Sequence, residues 1–513
     1  MQDNSINTKR IAKNTILLYI RMMVVMGINL YAVRLVLNAL GVEDYGIYNV
    51  IAGVITMLNS VSSVLSTATQ RFYSYSIGEN KLVRLRNIFS TSIYLYALLS
   101  LMVFILGETI GLWFVNTQLI IPPERMNAAN WIYQFSIFSF IVTIMQVPYS
   151  AAIIAHEDMG VFAVISGAES VFKMIAALLI FVIPLDRLII YGAALFIIST
   201  LVLISYITVG YNKYEECRYK RSTEKTLFKE LLSFSGWSLF GSVAGVGISQ
   251  VNTILVNIFF GPLVNAARAI SFQFNMAMSS FSGSFLMAIR PPMIKSYAEE
   301  SYLYLNKIFY LSNKFIYYCL LIICLPLMFE MDTVLNLWLK TTDPQTVLFS
   351  RLILVYVIIM SLNNPISIII QASGHVKEYH VSVETFTLLC APATYALFKL
   401  GYPAYTTYIS MISAAIASHV VRLICLKKYY KQFSYSEYIM SFLLPAFGIT
   451  LVTSLFIFLV HRNIMNTSLR ISAVVFMAVV LVPTFVLFIG LSKTEKDVMK
   501  QFNTSIKRKM GVL

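Results

Sequence analysis

Charge is scarce in this chain. Of its 513 residues only 12% are charged whereas 58% are hydrophobic, and the mean hydropathy is +0.74, which excludes an ordinary soluble domain with about a quarter of its residues charged. Cysteine and histidine are rare too, at five each. Cys217, Cys319, Cys324, Cys390 and Cys425 are scattered and mostly inside apolar runs, so they read as small hydrophobes and exclude a disulfide framework or a thiolate metal site. His156, His375, His380 and His461 fall at loops or span ends, and His419 reads as a core histidine bonded to a neighbouring helix. No intramembrane histidine therefore stands ready for acyl transfer. No P-loop occurs, so the chain is not expected to hydrolyse ATP, and no outer loop is long enough for a polysaccharide polymerase or ligase. The expectation is a protein that is not an enzyme and holds no cofactor or metal.

Long apolar runs are what the chain has instead. A helix needs about 20 residues to cross some 30 Å of hydrocarbon, and such runs recur near 13–39, 45–69, 88–115, 129–155, 159–183, 188–210, 231–259, 263–289, 308–329, 346–371, 379–400, 402–425, 438–460 and 471–491. These are fourteen predicted transmembrane helices in an all-α polytopic membrane protein. The first is too long for a signal-peptide core and lacks a small-residue cleavage site, so it is expected to be retained. The net charge of +15 does not point to nucleic acid, because the basic residues alternate with the spans. Twenty-seven lie on the side of the N-terminus against six on the other. By the positive-inside rule both termini are expected in the cytoplasm.

The chain also resembles itself at an offset of 220 residues. Leu35, Val36, Gly41, Ser60, Ser62, Ala68, Ser76 and Glu79 meet Leu255, Val256, Gly261, Ser280, Ser282, Ala288, Ser296 and Glu299. The offset persists across a helix, a glycine-containing outer turn, a second helix and its cytoplasmic exit. Both copies start from the same side, which predicts a parallel pseudo-two-fold repeat about an axis along the membrane normal. The expected domains are a six-helix lobe at 1–210, a basic cytoplasmic linker at 211–229, a second six-helix lobe at 230–426, and two additional helices with a basic tail at 427–513.

Charges inside spans are expensive and usually face a bundle interior or water. The basic candidates are Arg21, Arg34, Lys173, Arg268, Lys314 and Arg351, and the acidic ones Glu108, Glu169 and Glu384. At about 1.5 Å of rise per residue, Lys173 lies about 21 Å into its span and Arg21 about 12 Å. Arg268 is near enough to the outer face to snorkel, and Arg34, Lys314 and Arg351 read as interfacial anchors. Glu169 and Lys173, four apart, can pair on one helix face, which serves helix insertion and function equally well. Asn14 stands one heptad before Arg21 and Asn275 one heptad after Arg268, while Gln250, Asn252 and Asn257 add amides in the seventh span; such amides either wet a cavity or join helices. The first and seventh spans hold no carboxylate. A cavity lined by Arg21, Lys173, Arg268 and these amides suits an anion, above all a phosphate or diphosphate.

The opening KNTILLYIRMMVVMGINLYAVRLVLNALGVEDYGIYNVIAG, with its LG-x-E-x-YGIY turn at Leu40 to Tyr48, resembles the polysaccharide flippases of the multidrug/oligosaccharidyl-lipid/polysaccharide (MOP) exporter superfamily, including O-antigen transporters. The resemblance implies a MATE-like pair of six-helix bundles around a central cavity. It also implies alternating access that moves an undecaprenyl-diphosphate-linked oligosaccharide across the bacterial inner membrane for O-antigen, capsule or another surface polysaccharide. The implied partners are that lipid-linked oligosaccharide and membrane lipids, with a polysaccharide polymerase and glycosyltransferases beside them. Glu169 and Glu384 are candidates for coupling to Na+ or H+. Two alternatives stand beside this reading: a cation-coupled multidrug exporter of the same superfamily, and a non-transporting scaffold for polysaccharide enzymes.

Overall fold

A single glycine turns the first stretch of helix into two. In the computed structural model the backbone is helical from Gln2 to Gly78 except at Gly41, where φ is 80° and ψ 171°, a conformation that only glycine holds without strain. Residues 2–40 form α1 and 42–78 form α2. The break recurs at Gly261, with φ 81° and ψ 179°, and separates α7 (225–260) from α8 (262–298). The remaining helices are α3 (Leu82–Thr117), α4 (Pro123–Ala155), α5 (Met159–Leu179), α6 (Arg187–Lys213), α9 (Tyr302–Phe329), α10 (Pro344–Ser373), α11 (Val376–Lys399), α12 (Thr406–Tyr429), α13 (Tyr435–Asn463) and α14 (Thr467–Gly490). The structure describes residues 2–117, 119, 121–219, 224–339, 343–491 and 495; some side chains within helices, those of 2–9, Arg34 and 52–60 among them, lie outside the description. The anchor expected of Arg34 falls there.

The protein is an all-helical, multi-pass membrane protein. Among the described residues twelve helices are long and apolar enough to cross a membrane; α2 and α8, the helices that follow the two glycines, are not among them. Small hydroxyl residues dilute the hydropathy of α8. Ser282 and Ser284 return their hydroxyls to the carbonyls of Met278 and Ser280, each at 3.1 Å, so these polar groups are satisfied within the helix.

The 220-residue repeat reappears in backbone geometry. Asn80 and Glu300, 220 apart, both hold φ 56°. In each copy the amide after that residue reaches back five positions, Lys81 N to Ser76 O at 3.0 Å and Ser301 N to Ser296 O at 2.9 Å, closing the preceding helix with a left-handed cap. A second corner is duplicated as well. His156 stacks on Tyr214 with centroids 4.5 Å apart, and His375 on Tyr429 at 4.2 Å. Beside each stack a lysine from the end of one helix meets an acid from the start of another: Lys213 with Asp158 at 2.9 Å, Lys428 with Glu378 at 3.3 Å.

The chain divides into two compact units, residues 13–239, and 240–513 with 1–12. The division falls inside α7, so its first turns belong to the first unit. There α4 packs against α3, α5 and α6; in the second unit α12 packs against α10 and α11, and α9 against α10, α13 and α14. The LG-x-E-x-YGIY motif closes one end of the first unit. Arg125 grips Asp44 with Nε at 2.7 Å from Oδ1 and reaches Asp186 Oδ2 with Nη1 at 2.5 Å. Tyr48 meets the edge of Tyr191 at 5.1 Å. Asp186 also caps α6, accepting from the amides of Leu188 and Ile189 at 3.0 and 3.2 Å. Partial burial pushes its carboxyl up, yet the Arg125 guanidinium and these amides hold it below its ordinary value.

Candidate functional site

Helical arithmetic gives α5 two faces. At about 100° per residue, Phe162, Ser166, Glu169 and Lys173 fall on one side. Val164, Val171, Ile175 and Leu178, all exposed apolar residues, fall on the other. An exposed apolar face belongs in lipid. The opposite face carries an ion pair, Lys173 Nζ to Glu169 Oε1 at 2.6 Å, whose side chains remain 40% and 31% exposed, and charges that stay exposed on the side away from lipid face water.

Arg21 projects from α1 onto this polar face. Its Nε donates to Ser166 Oγ at 2.6 Å, and the guanidinium lies over the Phe162 ring, 4.7 Å from the centroid. Glu169 and Tyr206 are its electrostatic neighbours. Ser166 can accept because its own hydrogen is directed to the Phe162 carbonyl at 2.7 Å. The contact with Ser166 uses one of the five donors of a guanidinium, and the two terminal nitrogens have no hydrogen-bond partner among the described residues. Asn14, one heptad earlier, is buried and donates to the carbonyl of Glu157 at 3.0 Å, tying α1 to the corner between α4 and α5. Arg21, Glu169 and Lys173 thus come together in the first unit, with Asn14 two turns away acting as a helix tie.

Arg268 belongs to the second unit and sits differently. Although a surface-reaching side chain was feasible from its position, it is 1% exposed. Its guanidinium is held by Thr253 Oγ1 at 3.3 Å, the Ser249 carbonyl at 3.4 Å, and the rings of Phe272 and Tyr408 at 4.4 and 5.6 Å. No carboxylate is among these partners. Asn252 is fully buried nearby, donating to Cys390 Sγ at 3.5 Å, and Cys390 is itself an electrostatic neighbour of Arg268. Gln250 and Asn257 are exposed. Asn275 makes one long contact, accepting from Ser279 at 3.5 Å. The five amides are therefore dispersed over different surroundings and do not line one described site.

Glu384 is buried beside His380, Oε1 to Nδ1 3.6 Å. Gly241 of α7 passes so close to this histidine that a Cβ there would lie 2.2 Å from Nδ1. Gly241 is the repeat counterpart of Arg21, one offset of 220 later. Where α1 meets α5 through an arginine, α7 meets α11 by having no side chain at all.

Sequence reasoning missed three buried polar clusters. Arg422, counted among loop charges, is 7% exposed and donates to Tyr379 Oη at 3.0 Å and Ser418 Oγ at 2.7 Å. The four-residue spacing of Ser418 and Arg422 is the signal that was there to find. Lys314, expected at an interface, is buried and paired with Glu495 at 2.7 Å; its partner lies 181 residues away. Glu330, 2% exposed, gathers Arg470 Nε and His461 Nδ1, each at 2.8 Å from Oε1. His419 fulfils its expectation, with Nδ1 2.8 Å from Asn363 Oδ1, and Arg351 meets Asp332 at 2.6 Å with both side chains solvent-exposed.

With this geometry in hand, comparison with known proteins is informative. The profile of a family described as polysaccharide biosynthesis protein matches residues 11–297, more than half of the chain. No curated sequence matches. Among solved structures, an outward-facing multidrug resistance MATE family transporter of the MOP superfamily superimposes with a TM-score of 0.70 at 14% identity, covering 82% of this chain and 97% of that one. A MOP superfamily transporter from Pyrococcus furiosus, described as having a binding pocket of reverse polarity, gives 0.66 at 12% identity over 81% and 95%. A Vibrio cholerae MATE transporter in its bent form gives 0.66 at 15% over 86% and 99%. The fold is that of MATE transporters.

Proposed function

Because the chain belongs to the polysaccharide biosynthesis protein family, we propose that it is a flippase moving an undecaprenyl-diphosphate-linked oligosaccharide across the bacterial inner membrane by alternating access, for O-antigen, capsule or another surface polysaccharide. Fourteen spans, counting α2 and α8, keep both termini in the cytoplasm. The observation that carries the reading is the state of Arg21: anchored through Nε to Ser166 at 2.6 Å, it leaves the fork of its two terminal nitrogens available for a bidentate bond to phosphate. Lys173 adds a second cation on the same water-facing side of α5. Glu169 is the counter-ion that keeps both cations in place until the diphosphate arrives. Arg268, enclosed by hydroxyls and rings, contributes a fixed positive field. Polymerase and glycosyltransferases are the partners that this substrate implies.

Translocation of a fluorescent lipid-linked oligosaccharide in reconstituted vesicles tests this. Wild type is expected to flip the lipid and Arg21→Ala to lose at least about ten-fold, the scale of one lost charged hydrogen bond; Lys173→Ala should lose less, its charge being shared with Glu169. Undiminished flipping in both variants sinks the assignment of the anion site. Multidrug export is the second reading, favoured by the fold shared with multidrug transporters. It would be upheld if wild type moved organic cations and left the lipid-linked oligosaccharide where it was.

A further inference from the structure

A cleft of about 700 Å³ opens in the first unit between the start of α3 and the start of α7, lined among others by Lys81, Arg84, Asn87, Glu224 and Glu230. Its walls carry both signs of charge in separate places. The cations come from the beginning of α3 and the carboxylates from the beginning of α7. The links between them are long, Arg84 to Glu230 at 3.8 Å and Asn87 to Glu224 at 3.3 Å, and on the cationic side Glu79 pairs with Lys81 at 3.2 Å and with Arg84 at 3.4 Å. Exposed pairs of this kind hold one another weakly, and a ligand with matching charges can replace them. The walls themselves are fixed, since Phe228 packs on Tyr94 at 6.0 Å and Phe234 on Phe72 at 5.6 Å.

Exposed apolar side chains edge the cleft. Leu82 and Val83, both in its lining, are 74% and 78% exposed. Val83, Tyr94, Leu98, Leu101 and Ile105 share one face of α3, and each is exposed. Its longer part runs about 16 Å from residue 94 to 105, separated from Val83 by a turn, 88–92, that is buried on every side. A cleft with separated positive and negative walls, edged by the exposed apolar side chains of Leu82 and Val83 at the start of a membrane helix, matches a zwitterionic phospholipid with a primary amine.

We propose that this cleft binds a phospholipid carrying a phosphoethanolamine headgroup. The phosphate meets Lys81 and Arg84, the ammonium donates to Glu224 and Glu230, and the acyl chains leave past Leu82 and Val83 into the bilayer. Choline cannot donate to the carboxylates, and glycerol brings no cation to them. The site is separate from the Arg21 region and does not depend on what the transporter carries.

The test uses the full chain in vesicles holding equal parts of phosphatidylethanolamine, phosphatidylcholine and phosphatidylglycerol, followed by mass measurement of the lipid retained on the purified protein. Wild type should retain the ethanolamine lipid about five-fold over either other lipid, the scale of two exposed charged hydrogen bonds. The preference should fall to about one in the double variant E224Q/E230Q, while K81Q/R84Q should lose the ethanolamine and glycerol lipids alike. Equal retention in wild type, a preference for phosphatidylglycerol, or a preference that survives both double variants overturns the site. Soluble glycerophosphoethanolamine at the same concentration should leave the lipid in place; displacement by it overturns the role of the acyl chains and of Leu82 and Val83.

Discussion

Two arginines within spans end in opposite chemistry. Arg21 meets one hydroxyl, one ring and a distant carboxylate, and keeps donors in reserve. Arg268 is sealed at 1% exposure with a weak hydroxyl contact, a carbonyl and two rings. A buried cation without a carboxylate retains much of its desolvation cost, so an apolar side chain of similar length is tolerated or preferred. Arg268→Met is expected to leave the thermal midpoint in detergent unchanged or to raise it, by up to about 2 kcal/mol of stability, with flipping reduced far less than in Arg21→Met. A transport loss in Arg268→Met as deep as that of Arg21→Met would mean that Arg268 touches the substrate. Arg21→Lys separates charge from geometry at the first site, because lysine keeps the charge and loses the fork.

At the scale of elements, the glycines sort by φ. Gly41 and Gly261 have open space where a Cβ would go, so it is the backbone and not crowding that demands glycine there. Gly41→Ala and Gly261→Ala should each cost about 1–3 kcal/mol, read from the thermal midpoint. Gly27 is helical, with open space around it, and Gly27→Ala should stabilise by up to about 1 kcal/mol. Equal effects of Gly27→Ala and Gly41→Ala would contradict the conformational argument. Glu300 holds φ 56° without being glycine, and Glu300→Gly should relieve about 1 kcal/mol of left-handed strain.

For the molecule as a whole, the last two helices are joined to α9 through buried charge. Glu330, at the end of α9, binds Arg470 of α14 and His461 of α13, while Lys314 of α9 binds Glu495 beyond α14. Burial pushes the Glu330 carboxyl up, but the Arg470, His461 and Thr333 hydrogen bonds hold it below its ordinary value. Asp186 is held low by Arg125 in the same way. Carboxyls depressed in the folded state contribute stability that is complete above the unfolded value of about 4 and is lost as pH falls through the folded values. The thermal midpoint should therefore be flat from neutral pH to about 5 and fall steeply below 4. Glu330→Gln leaves the part-buried Arg470 without its counter-ion, which should cost about 2 kcal/mol at neutral pH, the scale of a lost charged hydrogen bond, and flatten the acid limb. Protease sensitivity between Asn463 and Thr467 rising in Glu330→Gln, with the turn at Asn80 unaffected, would locate the loss at the α13–α14 hairpin.

Much of this was legible in the residues alone. Hydropathy, the alternation of basic loops and the 220-residue offset act locally along a helix that rises a fixed distance per residue. Twelve of the fourteen expected spans, the glycine at each repeated turn and the Glu169–Lys173 pair follow from them without any knowledge of packing. Tertiary structure decided everything that depends on how one helix is rotated against another. Ser166 lies 145 residues from Arg21 and Glu495 lies 181 from Lys314, so neither partnership leaves a mark in local spacing. The sign and depth of a charge are properties of the sequence. Whether that charge ends sealed, paired or facing water is a property of its neighbours, because the cost of burying it is set by the groups that replace water around it.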